Sequence, residues 1–429
     1  MTGLLLEVEG LRNEIGSRVV VQGAAFGQWI EAECVGFRDN VSFFMAFDPV
    51  LGVKPNSAVY PLGVPFFDGA RYKTFAAALT IPLGEQLLGR VIDGLGRPLD
   101  GRGGAVSASK MGGFSPPPNP LMRRLVAKPF ETGIKVIDSL LSLGSGQRVG
   151  IFAGSGVGKS VLIAMLCKHC TADVIVIALV GERSREVREF YENTLSDTAK
   201  SRAVLVTAPA DTSPLARARG AEYAAEIARF FRDQGKNVVL IIDSLTRYAI
   251  ASREIALSMS EPPVSRGYPP STFARLATLI EQAGNGEDDN GSLTAFYTVL
   301  LDSEDSVDPV ADAARGGLDG HIFLSRSLAN SGHYPAIDIE RSISRVMPSV
   351  VSSEHFDLAV STRRSISKYL QSRDIVSMGA YAPGADKELD RSIRLWPLLE
   401  RFTRQGLNER YSFSESFKAL RTIVESDAK

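Results

Sequence analysis

One short run constrains this chain more than any other. Ala153–Ser160 reads AGSGVGKS, with the apolar run RVGIFA leading into it and VLIAMLCKH following it. Strand, glycine-rich loop and helix, in that order, is the context that a phosphate-binding loop needs. Gly154, Gly156 and Gly158 let the backbone curl so that successive N–H groups face inward, and the positive end of the next helix adds to them. Ser155, Val157 and Val161 complete the loop and the first helical turn. Lys159 is placed to reach the β- and γ-phosphates of a nucleotide, and Ser160 to put its hydroxyl on Mg²⁺. The strict pattern begins with Gly, whereas this chain has Ala153, which requires a negative φ there. A glycine-rich turn without a ligand is the alternative.

The surroundings of the loop indicate an α/β domain. The runs Arg148–Ala153, Val174–Val180, Ala203–Thr207, Val238–Ile242 and Leu293–Leu300 are continuous and apolar, and helix-like segments such as Ser213–Gln234 separate them. Short strands without polar alternation imply a parallel sheet covered on both faces. Val238–Asp243 (VVLIID) ends on a carboxylate that belongs at the carboxyl edge of that sheet, beside the loop. Asp243 is therefore the second Mg²⁺ anchor, through water, or else a cap for the SLTRYA helix after it. The acidic segment 283–292, AGNGEDDNGS, reads as an exposed loop.

The flanking regions differ. Up to about residue 70 the apolar runs are short and broken by Gly, Pro and Asn: Arg18–Gln22, Val41–Phe47 and Ala58–Pro61. Such spacing predicts a small β-barrel or sandwich. The triple proline in Phe114–Pro120 demands a loop or extended chain. Residues 355–429 are charged and amphipathic and read as helical. At 429 residues the chain has room for about three domains.

Charge narrows the function. Lys and Arg number 48 against 49 Asp and Glu, a net charge of −1, which weighs against a nucleic-acid backbone as partner. Three cysteines make no disulfide framework, and no apolar run is as long as a membrane span, so a cytoplasmic protein is expected. Cys167 and Cys170 form a lone CKHC on the helix after the loop, without the second pair that zinc requires. His321, His333 and His355 are too scattered to suggest a metal site, and RRLVAKP at 123–129 is too short to suggest nucleic acid.

Several stretches then coincide with one group. LGRVIDGLGRPLDG at 88–101, AGSGVGKS at 153–160, GERSREV at 181–187, IIDSLTRYA at 241–249 and YPAIDIERSISR at 334–345 resemble the ATPase family of rotary ATP synthase catalytic heads and type III protein-export ATPases. GYPPSTFARLATLIEQAGNG at 267–286 and LDGHIFLSR at 318–326 extend the resemblance over essentially the whole chain. Within the family, 208–235, 252–271 and 372–393 resemble the flagellar export branch, with virulence-type secretion as the alternative. The resemblance implies a RecA-like P-loop domain with a parallel sheet at 71–350, a small N-terminal β-barrel at 1–70 and a C-terminal helical domain at 351–429.

It also implies roles. Glu182 polarises the attacking water, the alternative being an ion pair with Arg183, Arg185 or Arg188. Arg183 lies near the γ-phosphate or else in a salt bridge within its own turn. Arg345 is the arginine finger that reaches a neighbouring subunit's site, with Arg341 as its rival. Tyr334 packs on adenine, the alternative being an ordinary core tyrosine. The opposite adenine wall is expected near Phe402–Leu407, but related catalytic subunits carry an aromatic where this chain has Leu407, so the residue that forms that wall stays open. The cofactors implied are ATP/ADP and Mg²⁺, and the reaction is ATP hydrolysis that energises flagellar protein export by releasing chaperones and unfolding substrates.

The partners implied are the chain itself as a homohexamer, a stalk-like coiled-coil protein at Gly379–Leu389, a peripheral-stalk-like regulator, an export gate at the inner membrane and chaperone–substrate complexes. The sequence opens on GLLLEVEGL, already strand-like, where the family carries an amphipathic segment that binds the regulator, so a monomer is the alternative for this shorter start. Two other classes fit less well. An RNA-translocating terminator-type ring needs a basic aromatic platform. A non-catalytic nucleotide-binding subunit would not need both Glu182 and Arg345.

Overall fold

The computed structural model describes residues 3–23, 28–63, 65–67, 72–74, 82–104, 119–287, 291–301 and 308–426. The triple proline lies outside the described residues. The N-terminal strands β1 (Leu5–Glu9), β2 (Arg18–Gln22), β3 (Trp29–Arg38), β4 (Val41–Ala46) and β5 (Val59–Pro61) form an antiparallel half-barrel in the order β1-β4-β3-β2-β5. Its inward residues, among them Val19, Val21, Ile30, Ala32 and Phe44, make a core of their own. A hairpin of β6 (Pro65–Phe67) and β7 (Tyr72–Thr74) follows.

The central sheet carries the site. Its strands are β8 (Val91–Asp93), β11 (Arg148–Ala153), β12 (Val174–Val180), β13 (Ala203–Ala208), β14 (Asn237–Asp243), β16 (Ser292–Leu300), β17 (Gly320–Leu324) and β18 (Ile337–Ser344). Two short strands, β9 (Pro129–Phe130) and β10 (Leu143–Gly144), pair outside it, and β15 (Gly284–Asn285) joins it through β16. The order is β18-β17-β11-β16-β14-β12-β13-β8; β15 and β18 are antiparallel to their partners and the rest are parallel.

The continuous apolar runs are explained by the two faces of this sheet. Every residue of β12 is buried. Val174, Val176, Ala178 and Val180 enter one core, whereas Ile175, Ile177 and Leu179 enter another on the opposite face. A strand that serves two cores has no polar position to alternate with. The helix Pro214–Asp233 covers the first face; Ser213 caps it by accepting from the Ala216 N–H at 3.2 Å, and Pro214 starts it.

Of the segment 283–292, residues 288–290 lie outside the described residues and Glu287 is exposed, but the rest is not the exposed loop that its composition implies. Ala283–Gly286 is buried, and β15 pairs with β16. Asn285 donates its side-chain amide to the Leu125 carbonyl at 3.1 Å. Small residues let this piece of chain lie against the edge, and the polar composition misleads because its bonds are made to backbone.

The glycine- and proline-rich run 88–101 also belongs to the central sheet, because β8 is its edge strand beside β13. Arg90 and Asp100 pair at 2.6 Å and are nearly buried. Asp100 also accepts the Val91 and Arg102 N–H groups at 3.2 and 3.1 Å. The Arg90 hydrogen bond, with those backbone donors, holds the Asp100 carboxyl well below the usual carboxylate range. Gly94 packs on Gly220 of the covering helix: a Cβ on Gly94 would stand 2.8 Å from the Ala216 carbonyl oxygen and 3.0 Å from the Gly220 Cα. Neither contact can swing aside, since both are backbone.

Both flanking regions are tied to this centre. Glu33 of β3, 2% exposed, takes the Arg219 Nε at 3.1 Å, and Arg219 also pairs with Glu222 at 2.6 Å. The C-terminal helices Ser353–Ser377, Lys387–Thr403 and Phe413–Ser426 dock on the segment around 131–139. Gln405 accepts from the Lys135 N–H and donates to the Gly133 carbonyl, both at 2.8 Å. Tyr369 and Trp396 stack at 4.5 Å between the first two helices. Among the described residues no helix is long and apolar enough to cross a membrane.

The close approach at Gly94 generates a prediction. Gly94→Val places methyl groups against backbone and should destabilise the protein by about 1–3 kcal/mol, read as a lower thermal midpoint. An unchanged midpoint would show that the segment does not pack on the helix in this way.

Candidate nucleotide site

The loop 154–158 joins β11 to the helix Lys159–His169 at the carboxyl edge of the sheet. Ala153 is the last residue of β11 and therefore extended, as its side chain requires. Val157 is buried and anchors the loop. Gly158, at φ 94°, is the N-cap of the helix, and a Cβ there would stand 3.1 Å from the Tyr334 ring. A side chain is thus excluded both by backbone conformation and by space. Gly158 brings no side chain to the first N–H groups of the helix, which leaves them for an anion.

Three charged side chains meet beside the loop. The Lys159 Nζ lies 2.5 Å from the Asp243 Oδ1 and 3.4 Å from the Glu182 Oε1. Asp243 ends β14 and Glu182 follows the Val180–Gly181 end of β12, so the parallel sheet delivers both carboxylates to one edge. Thr298 of β16, the next strand, donates its hydroxyl to the Asp243 Oδ1 at 2.7 Å. Burial opposes the Lys159 charge, but the Asp243 and Glu182 carboxylates outweigh it and raise its pKa. Burial pushes Glu182 up, against the pull of Lys159 and with the help of the Asp243 charge. One ammonium between two carboxylates leaves a net negative charge at the place where a cation and phosphates would sit.

The remaining expected residues fall in different places. Ser155 and Gly156 are exposed on the loop, and Gly154 sits under it; Ser160 and Val161 are exposed on the first turn of the helix. Tyr334 is 41% exposed and lies against the loop through Gly158. Its carbonyl accepts from the Gln405 N–H at 2.9 Å, and the Leu407 carbonyl lies 2.9 Å from the His169 Nε2. Leu407 is 45% exposed, whereas Phe402 is buried under the Lys135 ammonium. Arg183 is exposed, and the structure pairs it with Glu186 at 3.8 Å rather than with the loop.

Arg345 does not join this group. The register runs Val149 to Gly320 to Ser344 at one end of the strands, and Ala153 to Leu324 to Ile337 at the other. Arg345, exposed and just past Ser344, therefore lies at the amino edge of the sheet, roughly 15 Å from the loop at the rise of a β-strand. Its N–H donates to the Asp319 carbonyl at 3.0 Å, and its guanidinium to the Leu318 carbonyl at 3.3 Å.

Three side chains at the site were not singled out from the sequence. Thr298 holds Asp243. Arg326 donates to the Ser155 carbonyl at 3.3 Å and so fixes the loop. Arg247 packs under Gly181, where a Cβ would stand 2.9 Å from its own Cβ. Arg247 and Arg326 stand within IIDSLTRYA and LDGHIFLSR, so those stretches were their only signal. Cys167 and Cys170 are buried, and burial pushes both thiols up. Arg202 bonds their carbonyls at 3.1 and 3.2 Å.

Known proteins are similar to this chain over nearly its whole length. Residues 133–344 match the ATP synthase alpha/beta family, nucleotide-binding domain, and 351–422 match the T3SS EscN ATPase C-terminal domain. The flagellum-specific ATP synthase of Pseudomonas aeruginosa is 49% identical over 426 residues, 99% of this chain and 92% of that one. That of Salmonella typhimurium is 48% identical over 424 residues, 98% and 92% of the two chains. The assembled ATPase EscN of the enteropathogenic E. coli type III secretion system superposes with a TM-score of 0.87 at 38% identity, over 99% of this chain and 98% of its own. EscN has also been solved in complex with its central stalk EscO. The chain is thus an ATPase and belongs to the ATP synthase alpha/beta family, in the branch of the flagellum-specific ATP synthases and type III secretion ATPases.

Proposed function

We propose that this chain hydrolyses ATP at sites shared between copies of itself in a ring, taken to be a hexamer, and that hydrolysis drives flagellar-type protein export. The observation that carries the reading is the separation of Arg345 from the loop. The chain holds a phosphate cradle, a lysine and a carboxylate at one edge of its sheet and an exposed arginine at the other. One copy cannot bring the two together, but a head-to-tail neighbour can.

In this reading the loop N–H groups and Lys159 take the β- and γ-phosphates, and Lys159 exchanges its carboxylate partners for phosphate oxygens. Ser160 and Asp243 would hold Mg²⁺, which would offset the phosphate charge when bound. Glu182, freed from Lys159, orients the attacking water and accepts its proton; its raised pKa brings it closer to the neutral range where a base works best. Tyr334 stacks on adenine and Leu407 lies across from it. Arg183 turns from Glu186 toward the γ-phosphate, and Arg345 of the neighbouring copy stabilises charge on the transferred group.

Identities of 49% and 48% to flagellum-specific ATP synthases support the flagellar branch. The EscN–EscO complex supports a stalk-like partner, and we place it at Gly379–Leu389, a stretch that runs from the end of the first C-terminal helix into the start of the second and is exposed over most of its length, although Leu389 is buried. Chaperone–substrate complexes, a peripheral-stalk-like regulator and an export gate at the cytoplasmic face of the inner membrane complete the proposed surroundings.

Lys159→Ala should abolish ATP turnover, a loss of about 10³-fold or more, measured as phosphate release. Full turnover would contradict the cradle. Glu182→Gln should keep ATP binding and lower turnover by about 10²–10⁴-fold. In the wild type, turnover should fall on the acid side as Glu182 takes up a proton, with a midpoint above that of an ordinary glutamate. Arg345→Ala should lose about 10³-fold alone. Mixed with Lys159→Ala subunits it should recover part of the activity, because intact sites then form across some seams. Mixed rings without recovery would overturn the shared site.

A further inference from the structure

Two of the most exposed apolar side chains in the described residues sit close together. Leu121 is 93% exposed and Leu125 88%. They do not hang from a loose tail. Between them Arg123 donates to the Ala283 carbonyl at 2.9 Å and Arg124 to the Gly291 carbonyl at 3.4 Å. Asn285 holds the Leu125 carbonyl at 3.1 Å. The arginines turn inward to pin the backbone, and the leucines are left facing solvent. That inverts the usual choice of which residues a surface turn shows to water.

The place of this turn says what covers it. Asn285 of β15, which holds the turn, pairs with Ser292 at the start of β16, and β11 starts nearby: a Cβ on Gly146 would stand 2.2 Å from the Asn285 Oδ1. This is the amino edge of the sheet. Val126, next to Leu125, packs around Gly144 together with Val346, next to Arg345, and with Val350. The two leucines and the arginine thus share one edge, opposite the nucleotide loop. A surface with two outward leucines on the same edge as an exposed arginine joins an apolar contact to a charge.

We propose that the Leu121–Leu125 turn is the apolar part of the surface on which a second copy of this chain seats, and that its burial brings Arg345 to the nucleotide loop of that copy. The inference rests on the shared-site reading above and names the surface that makes the sharing possible. The contact is heterologous: this edge of one copy meets the loop edge of the next, and such contacts form a ring where the rotation between copies closes. A relative of 38% identity over nearly the whole chain forms an assembled ATPase, which gives the second copy as occupant rather than an unrelated protein.

The test separates the surface from the arginine. Leu121→Ser/Leu125→Ser and Arg345→Ala are compared with the wild type by sedimentation velocity over a concentration series, with Mg²⁺ and a non-hydrolysable ATP analogue. The leucines are almost wholly in solvent, so the double variant should melt as the wild type does and bind a fluorescent ATP analogue equally well when dilute. Its assembly midpoint should move to about tenfold higher concentration or more. Arg345→Ala should assemble at the wild-type concentration and fail to turn over. A double variant that assembles like the wild type overturns the proposal, as does a wild type that remains single at every concentration. If Arg345→Ala rings keep turnover, the shared-site reading fails by itself, whereas the surface is judged on assembly alone. Leu121→Glu repeats the assembly measurement with a charge in place of the contact and should shift the midpoint in the same direction.

Discussion

The Lys159 ammonium, held 2.5 Å from Asp243 and 3.4 Å from Glu182, is the interaction on which the site depends. Each of these side chains stands at the carboxyl end of a different parallel strand or just past it: Lys159 after β11, Asp243 on β14 and Glu182 after β12. Neither carboxylate would be tolerated half-buried beside the other without a cation between them. In the function we propose, the lysine would do two things in sequence: it offsets part of the carboxylate charge while no phosphate is near, and it would leave Glu182 and Asp243 for the phosphates when ATP enters. A preorganised site of this kind needs no large rearrangement of its own strands.

The sheet also sets the limit of what one copy can do. Because β17 is parallel to β11 and β18 runs back, the end of β18 is carried to the edge away from the loop. Arg345 is placed there by topology, not by a flexible tether, and its backbone is fixed by Asp319. An arginine held at the edge away from its own loop suits a neighbour's site in the function we propose; assembly would then be part of the active site, and the leucines of the same edge would give it a physical driving force.

Much of this was legible in the sequence, for identifiable reasons. β11 and β12 have the ends that their apolar runs give them, since strands buried on both faces carry no polar residues to blur the reading. The Ser213–Pro214 pair marks a helix start by its own chemistry. The loop was legible because its glycines and Lys159 are contiguous. What escaped was decided at long range. β8 is too short and too rich in flanking glycine to read as a strand, and it exists because Gly94 meets Gly220 across the fold. Gly284–Asn285 looks like solvent-facing loop until β16 is there to pair with it. Thr298 touches Asp243 over 55 residues of chain, and Arg326 reaches Ser155 over 171. No local pattern carries such contacts.

The central claim is that the ATP-cleaving site is completed by a second copy, and the most direct measurement is ATP turnover per chain as the wild-type protein is diluted. Turnover per chain should rise with concentration and level off once assembly, followed on the same samples, is complete. Turnover per chain that stays constant and full down to concentrations where only single chains sediment would contradict it.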